Sequence, residues 1–151
     1  TTYATVRPIT DLNQKVVDAC RQLIKEIGYQ GLWGIECIKQ GSDYFFLELN
    51  MRNDATTYAM KVAGINLPYI YQQILCGSVN ESPVNPIRTI NSMVEFNDFN
   101  FVLKKKVSLL NWIREYKGAE CKYFHSSTDP KPCVLKRKEY IIFLRKRILK
   151  F

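Results

Sequence analysis

Four side chains carry the types and spacing that chemistry asks for: Glu36, Glu48, Asn50 and Arg52. Two carboxylates and an amide offer hard oxygen donors. Mg²⁺ typically takes one or two carboxylates together with substrate phosphates. A guanidinium two residues beyond the amide clamps phosphate oxygens through a bidentate fork. As a set the four suit a magnesium triphosphate. The plainer reading of the same residues is a solvated strand face with two incidental acids.

Residues 31–53, GLWGIECIKQGSDYFFLELNMRN, must position them. Residues 32–39 and 44–50 are runs of strand formers with a Gly/Ser/Asp break between them. A three-residue loop, Gly41, Ser42 and Asp43, predicts a β-hairpin with Gln40 opposite Tyr44 and Glu36 opposite Glu48. A two-residue loop would move Glu36 off Glu48. Alternation then sets Trp33, Ile35, Cys37, Phe45, Leu47 and Leu49 on one apolar face, expected to be core. Glu36, Glu48 and Asn50 fall on the other, beside Ile38 and Phe46. Like charges directly opposed on paired strands are destabilising, so the two acids call for a counter-charge.

On these residues the chain resembles the ATP-grasp enzymes, whose closing motif is a Glu followed by a second Glu in an E-x-N-x-R run. Glu36, Glu48, Asn50 and Arg52 stand at that spacing. The flanks GYQGLWGIE and AGINLPYIY resemble the branch related to the carbamoyl-phosphate synthase large chain. The resemblance covers about residues 28–77. It implies that Glu36, Glu48 and Asn50 hold Mg²⁺ or Mn²⁺ ions that bridge the ATP phosphates. It makes Arg52 the catalytic cation, in contact with the transferred phosphate, and places Asn53 beside the nucleotide. It implies an α/β (α+β) fold, an antiparallel sheet packed by helices, the C-terminal half of an ATP-grasp fold. The activity implied is ATP-dependent carboxylate–amine ligation through an acyl phosphate. The adenine site and a lysine-bearing phosphate clamp would lie in a missing N-terminal half, leaving the isolated chain inactive and a homodimer open. No Gly-rich phosphate loop is present in the sequence.

The chain has 151 residues, enough for one domain with a core, and 46% hydrophobic content excludes a disordered chain. No apolar run is long enough to span a bilayer. The start, TTYATVRPIT, lacks the basic end and apolar block of a signal peptide, and also lacks Met, which reads as a fragment or processed piece. Five scattered cysteines give neither a zinc pattern nor a disulfide framework, and a reducing, cytoplasmic setting is expected. Charge is uneven. Residues 1–100 hold 8 basic and 10 acidic side chains, and residues 101–151 hold 14 basic and 4 acidic. The basic third, interleaved with Tyr116, Tyr123, Phe124 and Tyr140, keeps a nucleic-acid or anionic-surface module as the alternative function, with a non-catalytic scaffold as a third.

Further elements follow from local pattern. Residues 2–6 alternate as a strand. A helix over 10–27 is predicted from an apolar stripe, capped by Thr10 and ended by Gly28; it should cover the hairpin's apolar face. Two short helices follow, over 56–63 and 67–75. Asp54 is expected to cap the first and Asn66 the second, with Pro68 in the first turn. Residues 77–88 read as a loop, 89–95 as a strand, 97–116 as one helix interrupted by Lys104, Lys105 and Lys106, 118–124 as a strand, and 134–149 as a basic amphipathic helix. His125 reads as structural or surface. The expected division is 1–77, an ATP-grasp subdomain bearing the hairpin, and 78–151, an α/β extension.

Overall fold

The computed structural model describes residues 2–8, 13–78 and 84–148. The chain separates into two compact units, Arg7–Arg88 and a second made of Thr1–Val6 with Thr89–Phe151. The N-terminal strand thus belongs with the C-terminal residues rather than with the hairpin.

In the Arg7–Arg88 unit, helix α1 (Gln14–Ile27) starts from Asn13, whose side chain accepts from the Lys15 amide. Thr10, the expected cap, lies outside the described residues. Gly28 closes α1 in the left-handed conformation, φ 68°, where a residue without Cβ carries no steric cost. Strands β2 (Gly34–Gln40) and β3 (Asp43–Asn50) form an antiparallel hairpin. Its loop has two residues, because Gln40 pairs with Asp43. A bulge between the Glu36 and Cys37 pairs then inserts Leu47 as an extra residue on β3. Loop and bulge offset each other, so Glu36 still faces Glu48.

The same shift exchanges two phenylalanines. Cys37 pairs with Phe46 and Ile38 with Phe45, so Phe46 joins the helix-facing side and Phe45 the side of Glu36, the reverse of expectation. The apolar face is also not the closed core predicted for it. Helix α1 and the hairpin line a shared cleft of ≈ 390 Å³ that includes Val16, Cys20, Leu23, Ile35, Cys37 and Phe46. No residue of α1 is buried, and Phe46 stays 55% exposed.

Helices α2 (Thr56–Val62) and α3 (Leu67–Leu75) complete this unit. Asp54 accepts from the Thr56 amide at 2.8 Å and starts α2, and Asn66 accepts from the Tyr69 amide at the head of α3. Among the described residues, Ala59, Ala63 and Ile65 are its buried apolar ones.

The second unit holds a three-stranded sheet in the order β1 (Ala4–Val6), β4 (Ile90–Met93), β5 (Cys121–Lys122). β1 runs antiparallel to β4 and β5 parallel to it, so this sheet is mixed. Ile90, Met93 and Cys121 are fully buried. Asp98 is also buried, and its carboxylate accepts from the Thr2 amide. The helix predicted over 97–116 is two helices, α4 (Glu95–Leu103) and α5 (Leu109–Gly118). The lysine run is the break. Lys105 sits at φ 56°, the Lys106 amide bonds back to Phe101 and the Lys105 amide to Val102, and Ser108 caps α5. That is a Schellman ending with lysine where glycine is usual. Helix α6 (Lys131–Ile148) begins three residues earlier than expected, with Asp129 accepting from the Lys131 amide.

Candidate functional site

The candidate site is the Glu36 side of the hairpin. Glu36 and Glu48 are direct cross-strand partners, and Gly34 is paired with Asn50. Asn50 Nδ2 donates to Glu36 Oε1 at 3.4 Å, and an Arg52 terminal nitrogen donates to Asn50 Oδ1 at 3.3 Å. A chain of contacts therefore runs Arg52 to Asn50 to Glu36, with Glu48 across the ladder. Glu36, Glu48 and Arg52 are exposed and Asn50 is half-buried. Asn53 is exposed on the following turn and makes no side-chain hydrogen bond among the described residues. His125 is exposed.

Strand geometry explains the convergence. Positions two apart on a strand share a face, and paired positions share it too. Gly34, Glu36, Glu48 and Asn50 are therefore neighbours on one surface. Gly34 is the participant that the spacing of acids did not point to. A Cβ there would lie 3.0 Å from Asp54 Oδ2, so the missing side chain lets the Asp54 carboxylate stand at the edge of this face. A glycine inside a strand run is the signal for such close approach. Asp54 keeps the helix-starting role expected of it, through its other oxygen.

The donor set is hard in kind, two carboxylates and an amide oxygen with open solvent on one side, and the amide oxygen must leave Arg52 to face a cation. Among the described residues no three His, Cys, Asp or Glu side chains converge closely enough to hold a metal by themselves.

The family model described as "ATP-grasp in the biosynthetic pathway with Ter operon" matches residues 5–98. The chain belongs to the ATP-grasp family. The match takes in the hairpin and helices α1 to α3, and leaves residues 99–151 outside. Acetyl-CoA carboxylase of Dictyostelium discoideum is 32% identical over 73 residues, which are 48% of this chain and 3% of that protein. The chain spans a small part of the curated relative it matches. No solved structure matches it. The mixed α/β content of this ATP-grasp chain agrees with the fold class expected from the sequence. Among the described residues no helix is long and apolar enough to cross a membrane.

Proposed function

We propose that the Glu36–Glu48 hairpin is the metal and phosphate face of an ATP-dependent carboxylate–amine ligase. The observation that carries this reading is the cross-strand Glu36–Glu48 pair with Asn50 and Arg52 bonded in series beside it. Membership of the ATP-grasp family supports it. In this reading Glu36, Glu48 and Asn50 hold Mg²⁺ or Mn²⁺, and Arg52 and Asn53 contact the nucleotide. Bound there, the ion neutralises triphosphate charge. The Arg52 guanidinium stabilises the charge that develops on the γ-phosphoryl oxygens as a small carboxylate attacks phosphorus. The new bond joins carboxylate oxygen to phosphorus, the bridging bond to ADP breaks, and an acyl phosphate results. An amine then attacks the acyl carbon, phosphate leaves, and the amine gives up a proton.

Segments outside residues 1–151 supply the adenine pocket and the phosphate clamp in this proposal, in keeping with the small share of the relative that the chain spans. The half-exposed Ile38 and Phe45, on the Glu36 side, agree with a further segment resting on the hairpin. The setting proposed is the reducing cytoplasm, where the five thiols stay free.

Calorimetric titration of ATP in the presence of Mg²⁺ tests the site. Wild type is expected to bind weakly and only with the metal, and Arg52→Gln to lose most of that heat. The Glu36→Gln/Glu48→Gln double variant is expected to lose the metal requirement together with the binding. Metal-dependent binding of wild-type strength in the double variant would sink the proposal.

A further inference from the structure

A second site lies in the other unit, on residues that the ligase reading does not use. Helices α4, α5 and α6 line an open-sided cavity of ≈ 280 Å³. Its walls are aromatic. Phe99 meets Trp112 edge-on at 5.0 Å, and Trp112 stacks on Tyr116 at 5.1 Å. Phe96 and Tyr140 also line it.

Three polar groups line this apolar space. Glu95 is 5% exposed, and its Oε1 accepts from the Phe124 amide at 3.1 Å. Its other oxygen, Oε2, is buried with no hydrogen-bond partner. Trp112 Nε1 is a buried donor, likewise without a partner. Arg137, exposed on α6, lines the same cavity, and among the described residues no ion pair joins it to Glu95. Leaving a buried polar group unpaired is costly, so native structures seldom keep two in the residues around one cavity without something to satisfy them.

We propose that this cavity binds a small zwitterion with an apolar body, that is, a free amino acid. Glu95 Oε2, which has under 1 Å² of accessible surface as it stands, turns toward the cavity to take an ammonium donor, and the surrounding ring faces favour the same positive group. The Arg137 guanidinium takes the carboxylate, and Trp112 Nε1, equally covered, joins it through a turn of the indole. The aromatic walls take the side chain. An amine alone leaves Trp112 and Arg137 unused, and an acid alone leaves Glu95 unused. The volume, ≈ 280 Å³, falls just below the roughly 300–1,000 Å³ usual for ligand pockets, which suits a ligand smaller than most.

The test is calorimetric titration of the whole chain with L-leucine, L-methionine and L-phenylalanine, without ATP or metal. Isoamylamine and isocaproate serve as matched probes, each lacking one charged group of leucine. At least one amino acid is expected to saturate the site, with both leucine mimics weaker than leucine by about tenfold or more, the loss of one charge-assisted bond. Glu95→Gln retains an oxygen for the Phe124 amide and is expected to weaken binding by about tenfold. Arg137→Met, on an exposed position, is expected to do the same without touching the fold. Circular dichroism checks that both variants are folded. No heat with any of the three amino acids would overturn the proposal. Isoamylamine binding as tightly as leucine, or Arg137→Met binding like wild type, would overturn it as well. None of these outcomes depends on the hairpin.

Discussion

Glu36 faces Glu48 directly across the hairpin, and among the described residues no lysine or arginine forms an ion pair with either. Among the described residues the only side chain bonded to this pair is Asn50, at 3.4 Å from Glu36. Two like charges in that position cost roughly 0.2–1 kcal/mol. Glu48→Gln is therefore expected to raise the melting temperature measured in EDTA. Wild type is expected to gain from added Mg²⁺, and the variant to gain little. A variant that melts below wild type in EDTA and still responds fully to Mg²⁺ would show that the pair is not repulsive.

Cys121 gives a prediction about pH. Burial, with the Glu95 carboxylate second, pushes its thiol up from 9.0 to about 11, while Lys122 opposes the shift. An acid raised in the folded state stays protonated there while the unfolded chain ionises. Its contribution to stability is whole below pH 9 and is lost between pH 9 and about 11. The urea midpoint of wild type is thus expected to fall faster over that window than that of Cys121→Ala, the other titrating groups being common to both. Alkylation at neutral pH should also reach the exposed Cys37 and Cys76 well before the buried Cys121.

Lys105 holds a backbone conformation that costs an L-residue roughly 1–2 kcal/mol and glycine almost nothing. Its φ of 56° is fixed by the two back-bonds that end α4. Lys105→Gly is expected to stabilise the chain by about 1 kcal/mol in urea unfolding. Lys104→Gly, one residue earlier at φ −85°, should be neutral or destabilising. Equal effects at the two positions would mean that the left-handed turn is absent.

The acids were legible because strand alternation and the E-x-N-x-R spacing are local patterns. The register between Cys37 and Gln40 was not. Loop length and the Leu47 bulge each change it by one residue, and neither leaves a mark in composition. Their cancellation kept Glu36 on Glu48 and moved Phe46 to the helix side. The break at Lys105 was hidden for a related reason: an apolar stripe continues on either side of it, and the capping Ser108 falls inside that stripe. Glu95, Trp112 and Arg137 had no shared signal at all, since three separate helices bring them to one cavity.

Gly34 and Asp54 are expected to be energetically coupled. A Cβ on Gly34 would meet Asp54 Oδ2 at 3.0 Å, closer than ordinary contact. The carboxylate cannot simply swing away, because its Oδ1 accepts from both the Thr56 amide and the Thr56 hydroxyl at the head of α2. Gly34→Ala should therefore loosen the start of α2 and destabilise the chain, despite the better strand propensity of alanine. Asp54→Ala alone should cost about 1 kcal/mol, as the loss of a helix-end bond does. With Asp54 already gone, the added methyl meets open space, and alanine lowers the entropy of the unfolded chain by roughly 0.4–1 kcal/mol. Gly34→Ala should then be neutral or stabilising in the Asp54→Ala background. A double-mutant cycle in urea is expected to return a coupling of roughly 0.5–3 kcal/mol. Simple additivity would mean that Asp54 does not rest against Gly34, and the acid would then stand clear of the Glu36 face.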